Sequence, residues 1–390
     1  MKKIGILTIN DYQNYGNRLQ NYATQEVLKS LGFAIETVIN NTTYPDRSST
    51  STKILGKINN LKKMTIKEIY EKITLKFSNQ VSKGKIEQYS AKKLEAFKNF
   101  TSVNILETDY KITNNDIPKG LSDKFDYFVT GSDQVWNPIY RHGSPLDFLT
   151  FAQKNKRIAY SPSFGISEIP SEYVENYKTW LSEMSRLSVR EEAGAKIIKD
   201  LTGREAVVLI DPTLMLTKKK WLSVSKKSPH KPTKKYLLTY FLGSIAQENK
   251  RRIRKIAQEN DLQIVNLADI KDKEAYTAGP SEFIDYINSA SVLCTDSFHG
   301  VIFSIVLKTP FIVFDRIGNL PSMNSRINTI LKTVQLNSRL LENVNTNKQV
   351  FEANYSHIAP IVEIERKRAL AYLKEALQAN KSEILLKGDK

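Results

Sequence analysis

The sequence predicts an α/β protein of two Rossmann-like domains facing a cleft, on three observations. Short apolar runs alternate with amphipathic helical stretches along most of the chain. The alternation stops at a lysine-rich stretch, residues 218–235, and then restarts. At 390 residues the chain exceeds one comfortable domain, and two are the natural division.

The elements follow in order. "KKIGILTI" suits a buried parallel strand. "NDYQNYGNRLQNYATQEVLKSLGF" reads as a loop and then a helix. Leu19, Tyr22, Ala23, Val27, Leu28 and Leu31 keep the helical period, and Gly32 is placed to cap its end. "AIETVI" is the next strand and closes a βαβ unit. Residues 46–100 place apolar side chains at helical spacing among many lysines. They read as helices outside the sheet, either an elaboration of the first domain or an amphipathic surface apposed to a membrane. Strands recur at "FDYFVTG" (125–131), "KRIAYS" (156–161), "RLSVR" (186–190) and "AVVLID" (206–211). Helical "SEYVENYKTWLSEM" and "EEAGAKIIKDLT" separate the last three.

Past the lysines, "YLLTYFLG", "QIVNLA", "SVLCTD" and "PFIVFD" are strands. "SIAQENKRRIRKIAQEND", "GPSEFIDYINSA" and "HGVIFSIVLKT" are the helices between them. "IVEIERKRALAYLKEALQANKSEILLK" is a long terminal helix, with the first domain as its candidate packing partner. The expected division is an N-terminal domain over 1–217 with a helical insertion at about 46–100, a basic linker over 218–235, a second domain over 236–350 and a helical segment over 351–390. Two such domains across a cleft make a GT-B-like architecture.

Composition bounds the function. The single cysteine, Cys294, excludes an intramolecular disulfide and a CxxC metal site, so a reducing compartment is expected. The apolar run in "MKKIGILTIND" is too short for a signal peptide, and Asn10 and Asp11 end it. No stretch approaches the roughly 18 apolar residues of a membrane span. A soluble, cytoplasmic protein is expected. The net charge of +17 favours anionic partners: nucleic acid, anionic lipid or phosphorylated metabolites. "KKKWLSVSKKSPHKPTKK" holds eight lysines and no acid. It reads either as a solvated linker or as a patch for a membrane surface or a phosphate-bearing ligand. No recognition motif or aromatic–basic platform appears, so nucleic acid is set aside.

Ligands of open α/β sheets bind outside the carboxyl ends of the strands, so the residues following each strand are the candidates. "NYGNRLQ" places Gly16 and Asn17 at a helix start, either as turn and cap or as an anion site. "GSDQVWN" sets Asp133 between Ser132 and Gln134, either as a cap or as a proton acceptor. Arg190 ends a buried strand and needs a partner. Glu191 or Glu192 would serve, or the guanidinium forks onto a carboxylate or phosphate. Arg316 and Arg326 could join such a site. His299, in "TDSFHG" beside Asp296 and Ser297, is a turn residue, a general acid or a phosphate ligand. No GxSxG, GxGxxG or P-loop is present, and no histidine pair has metal-ligand spacing.

"NYGNRLQNYA", "FDYFVTGSDQVWNP", "RIAYSPSFG", "LSVREEAGAKII", "VLIDPTLML" and "TDSFHGVIFSIVLKTPFIVF" occur in the order of the polysaccharide pyruvyl transferase family, which the chain resembles from about residue 4 to 335. The resemblance implies a GT-B-like fold. It also implies transfer of a pyruvyl group from phosphoenolpyruvate to two sugar hydroxyls, with no metal or redox cofactor. On that footing His299 is the acid or a phosphate ligand, and Arg190 holds the donor. Asp133 and Asn17, with Gly16, Ser132 and Gln134, face the acceptor sugar. Some pyruvyl-transferring members carry an arginine two residues before the histidine. Here that position is Ser297, so one donor-anchoring charge is missing, or Arg316 or Arg326 supplies it. The acceptor would be a glycan precursor for capsule, exopolysaccharide or wall polymer, polyprenyl-diphosphate-linked and met at the inner membrane face through the 218–235 lysines. The alternatives are a nucleotide-sugar glycosyltransferase on the same fold and a non-catalytic glycan-binding protein.

Overall fold

The computed structural model describes residues 1–42, 66–317 and 325–378, with side chains from Ile86 onward in the helix that opens at Ile66. Residues 46–65 of the expected insertion and the chain after 378 lie outside the described residues.

The first domain is a parallel sheet in the order β3-β2-β1-β4-β5. Its strands are β1 (Lys3–Leu7), β2 (Ala34–Asn40), β3 (Glu107–Ile112), β4 (Tyr127–Thr130) and β5 (Arg157–Ala159). A two-stranded pair, β6 (Ser188–Val189) and β7 (Val207–Val208), continues it through a bridge from Ile158 to Arg186. Helix α1 (Tyr15–Ser30) crosses from β1 to β2, and α2 (Ile66–Asn104) precedes β3. Helices α3 (Val174–Ser182) and α4 (Glu192–Thr202) flank β6. The short α5 (Pro212–Met215) and α6 (Lys218–Ser223) lead out of the domain. The second domain is a parallel sheet in the order β11-β10-β8-β9. It is built from β8 (Tyr236–Tyr240), α7 (Gln247–Glu259), β9 (Gln263–Asn266), α8 (Pro280–Ser289), β10 (Val292–Thr295), α9 (Phe298–Leu307) and β11 (Phe311–Val313). Helices α10 (Ser325–Thr333) and α11 (Ile358–Ala376) complete the described chain.

The strand the sequence did not suggest is β3. "ETDYKI" follows the expected helical insertion, and its polar alternation fits an edge strand. Glu107 of β3 takes the Arg18 guanidinium of α1 at 2.9 Å. Helix α1 is buried along nearly its whole length, polar residues included. Each polar side chain finds a partner: Asn21 donates to Thr37 Oγ1 at 2.8 Å, and Gln25 donates to the Asn104 carbonyl at 2.8 Å. Gly32 follows α1 with φ of +88°, and its N–H caps the Lys29 carbonyl at 3.0 Å.

The two domains are in direct contact. Tyr15 of α1 stacks on Phe283 of α8 with centroids 4.4 Å apart. One apolar core runs from β1 through α1 into α8 and α9. The 218–235 stretch joins in this packing. It opens with α6, whose Trp221 is fully buried between Tyr22 (5.6 Å) and Phe303 (4.8 Å). Lys220 pairs with Glu26 at 2.7 Å, and Lys231 with Asp285 at 2.6 Å. Lys219, Lys226, Lys227, Lys234 and Lys235 remain exposed. Helix α11 packs back on the first domain: Tyr372 donates to the Ala159 carbonyl at 2.7 Å, and Arg366 to the Leu214 carbonyl at 2.7 Å.

Lys93 of α2 is a costly tie between the domains. Its ammonium lies 4.9 Å from the Tyr15 ring centroid and 4.5 Å from that of Tyr276. The residue is 8% exposed, and burial pushes the amine down to about 8 against the opposing charge of Asp11. An unfolded lysine titrates near 10.4. Between the two values the unfolded chain binds more protons, so stability rises with pH across that window and the full penalty is present below it. Lys93→Met keeps the stem and removes the charge. The variant is expected to be more stable than wild type at pH 7 by about 1–3 kcal/mol, the gap closing toward pH 10. Thermal unfolding at both pH values checks this; an equal gap at both would assign it to packing instead.

Candidate functional site

The carboxyl ends of β4, β6, β7 and β10 converge where α1 and α9 begin. β4 leads to Gly131, whose φ is +115° and where a Cβ would overlap the Tyr160 carbonyl, so only glycine fits. A cis peptide joins Gly131 to Ser132. Ser132 Oγ lies 2.8 Å from the Ser161 carbonyl and 2.9 Å from Asp211 Oδ2, and the Ser132 N–H donates to Gln20 at 3.0 Å. Asp133 follows with φ of +67°.

Arg190, at the end of β6, is the hub. Its Nη1 donates to Asp211 Oδ2 at 2.7 Å, and its Nη2 reaches Asp133 Oδ1 at 3.4 Å. Its guanidinium stands 4.5 Å from the Phe298 ring centroid. Glu191, the neighbour in sequence, turns instead to the Ser163 hydroxyl and the Phe164 and Gly165 amides at 2.9, 2.9 and 3.2 Å. Asp211 also accepts from the Thr213 amide at 2.9 Å and the Thr213 hydroxyl at 2.6 Å. Burial alone would raise the Asp211 carboxyl. The His299 imidazole, the Arg190 guanidinium and the Thr213 hydroxyl outweigh it and hold the carboxyl well below the usual range, so it stays ionised. The paired carboxylates in turn outweigh burial at Arg190 and raise its guanidinium.

His299 is the second residue of α9. Its Nε2 is 3.7 Å from Asp211 Oδ2, too long for a hydrogen bond but close enough for a charge pair. Its ring meets Phe298 edge-on at 5.3 Å. Gly16 of α1 lies against the ring, and a Cβ there would overlap His299 Nδ1. Asn17 donates its amide to Asp133 Oδ2, and Gln134 N–H donates to Asp133 Oδ1 at 2.8 Å. Arg326 of α10 stands 4.0 Å from Asp133 Oδ1 and 5.7 Å from the Phe298 ring centroid. Burial and the neighbouring Arg190 push the Arg326 guanidinium down to about 10.

The structure thus brings together Gly16, Asn17, Ser132, Asp133, Arg190, His299 and Arg326. The other three candidates have different tasks. Gln134 accepts from the Asn137 amide at 2.8 Å. Ser297 Oγ caps α9 by accepting from Gly300 N–H at 3.3 Å. Arg316 holds Asp296, with Nε 3.1 Å from Oδ2 and Nη2 3.0 Å from the carbonyl. Asp296 braces the second domain through the Leu242 and Gly243 amides at 2.7 and 2.9 Å. The sequence reading did not single out Asp211, Phe298 or Asp296 as site residues, although each stands beside a strand end or a chosen residue. Arg190 Nε and His299 Nε2 are buried and make no hydrogen bond among the described residues. Among the described residues no group of three or more His, Cys, Asp and Glu could hold a metal ion, and no helix is long and apolar enough to cross a membrane.

Two parallel-sheet domains whose strand ends meet at a buried arginine–carboxylate–histidine cluster define a GT-B-like enzyme of the transferase class. The sequence profile of the polysaccharide pyruvyl transferase family matches residues 14–318, and the chain belongs to that family. Similar solved structures include the MnaA–UDP complex of S. aureus, at 11% identity over 98% of each chain with a TM-score of 0.48. The UDP-GlcNAc 2-epimerase of Neisseria meningitidis bound to UDP-GlcNAc is 11% identical over 97% of this chain and 100% of its own, with a TM-score of 0.44. That of Methanocaldococcus jannaschii is 13% identical over 93% and 98%, with a TM-score of 0.40. At such identities the likeness concerns the fold alone. No curated protein sequence matches the chain.

Proposed function

We propose that the protein transfers a pyruvyl group from phosphoenolpyruvate to two hydroxyls of a sugar in a glycan or polyprenyl-diphosphate-linked precursor, forming a cyclic ketal. The observation that carries this reading is the pair of buried donors without a hydrogen bond among the described residues, Arg190 Nε and His299 Nε2, in a site that also holds Arg326. Buried donors of this kind call for an acceptor, and a small polyanion supplies several. Phosphoenolpyruvate carries a carboxylate and a phosphate and needs a proton at its vinyl carbon.

The residues divide the work as follows. Arg190 and Arg326 hold the anionic groups. His299 gives a proton to the methylene carbon, and the carbon bearing the phosphate becomes oxocarbenium-like. The ionised Asp211 is the counter-charge for the imidazolium. A sugar hydroxyl adds to the electrophilic carbon, and its proton passes to Asp133, which Asn17 orients. The C–O bond to phosphate then breaks, and a second hydroxyl closes the ring. Of the two hydroxyl protons, one replaces the proton that became part of the methyl group and the other leaves with the phosphate. No redox partner is needed. The exposed lysines of 218–235 suit an acceptor carried at a membrane surface.

Phosphorus NMR tests the reading. Phosphoenolpyruvate is incubated with the protein and a panel of soluble and polyprenyl-diphosphate-linked glycans. Inorganic phosphate is expected to appear only when an acceptor is present. Phosphate release that ignores the acceptor, or consumption of a UDP-sugar in its place, would sink the proposal.

A further inference from the structure

A second cavity lies away from the cluster. It measures about 420 Å³, within the roughly 300–1,000 Å³ of small-molecule sites. The carboxyl-terminal end of α9 forms one wall (Ile305, Val306), the start of α11 another (Ile358, Val362), and Leu214 of α5 the floor. The Tyr355 hydroxyl is bound to the Thr309 carbonyl at 2.5 Å, so this residue offers its ring. The ten residues of α9 span about 15 Å, and the cavity stands at the opposite end of that helix from His299. It is therefore not part of the transfer site.

The rim is cationic. Arg366 is committed: it donates to the Leu214 and Leu216 carbonyls at 2.7 and 2.9 Å and faces Glu363, the one acid of the rim, at 3.9 Å. Lys218 and Lys308 are not committed in that way. Lys218 gives one N–H to the Leu307 carbonyl at 2.7 Å and has two left. The Lys308 ammonium makes no hydrogen bond or ion pair among the described residues. Lys308 holds φ of +62° at the end of α9, a conformation where glycine is free and lysine is strained. Burial and the charge of Lys308 both lower the Lys218 amine. Two ammonium groups that disfavour each other, at the mouth of an apolar cavity, are relieved by one anion placed between them.

We propose that this cavity binds a single acidic amphiphile, an alkyl or isoprenyl chain inside with a carboxylate or phosphate head between Lys218 and Lys308. The apolar walls exclude a free sugar or nucleotide, and the cation pair selects the anion over the alcohol.

Displacement of a fluorescent probe tests this on the full chain, with 11-(dansylamino)undecanoic acid as the probe. Dodecanoate and farnesyl monophosphate are the acidic competitors, dodecanol and farnesol the neutral ones, and inorganic phosphate the head alone. The probe is expected to saturate one site. The acids are expected to displace it at least about tenfold more tightly than the alcohols. The tighter of the two acids names the head group. Lys218→Met with Lys308→Met should remove that preference and leave the alcohols unchanged. Ala359→Trp, at an exposed lining position, should fill the cavity and abolish all binding without unfolding the protein. Alcohols equal to acids, displacement by phosphate alone, or full affinity in the Ala359→Trp variant would each overturn the proposal.

Discussion

Arg190→Met is expected to abolish acceptor-dependent phosphate release, by at least about a thousandfold, and to destabilise the fold by about 3–5 kcal/mol. Both effects have one source. Arg190 is fully enclosed and answers Asp211 at 2.7 Å and Asp133 at 3.4 Å. Removing it leaves two buried carboxylates with less than their charge in partners. Arg190→Lys should not rescue either property. An ammonium is a point charge and cannot span two carboxylates while stacking on Phe298. Pairing Arg190→Met with Asp211→Asn removes a charge of each sign and should recover at least about half of the lost stability, since a buried group without its partner is the larger penalty. The pair should recover no activity. Urea unfolding and phosphate release on the three variants measure both properties. Activity in the doubly substituted protein would show that Arg190 is structural.

Gly16→Ala is expected to lower kcat by about a hundredfold while barely changing the melting temperature. Glycine is normally the weaker helix former, and alanine would add up to about 1 kcal/mol inside a helix. At this position the added methyl overlaps His299 Nδ1, so the ring must move. His299 is buried against Phe298, and moving it changes its approach to Asp211 and to the bound donor. The loss should fall on kcat more than on the KM for phosphoenolpyruvate, because Arg190 and Arg326 keep their places. Steady-state kinetics separates the two. An unchanged kcat would mean that the His299 ring has no fixed place in the reaction.

Much of this arrangement was legible in the sequence, and the exceptions have physical reasons. The α/β alternation located ten of the eleven described strands because apolar runs are short, regular and bounded by polar turns. β3 escaped because an edge strand with Glu107, Asp109 and Lys111 has only one buried row. The strand-end rule placed Gly16, Asn17, Asp133, Arg190 and His299 near one another, since parallel strands deliver their carboxyl ends to one side. The partner of Arg190 was not legible. Glu191 and Glu192 were the local candidates, and the guanidinium reaches instead to carboxylates 21 and 57 residues away. Asp211 already had a local role as the cap of the Pro212 turn, so nothing in its neighbourhood pointed to a distant arginine. The 218–235 stretch read as a linker because composition registers eight lysines and not the single Trp221 that anchors it between the domains.

In the proposed reaction the buried cluster protonates the vinyl carbon of phosphoenolpyruvate and joins its neighbour to a sugar. Running the reaction in D2O, with proton and phosphorus NMR on the same sample, tests it most directly. One inorganic phosphate per ketal formed and a single deuterium in each new methyl group are expected, with both signals lost in His299→Gln. Phosphate released with no deuterium in the product, or a methyl group that never forms, would contradict it.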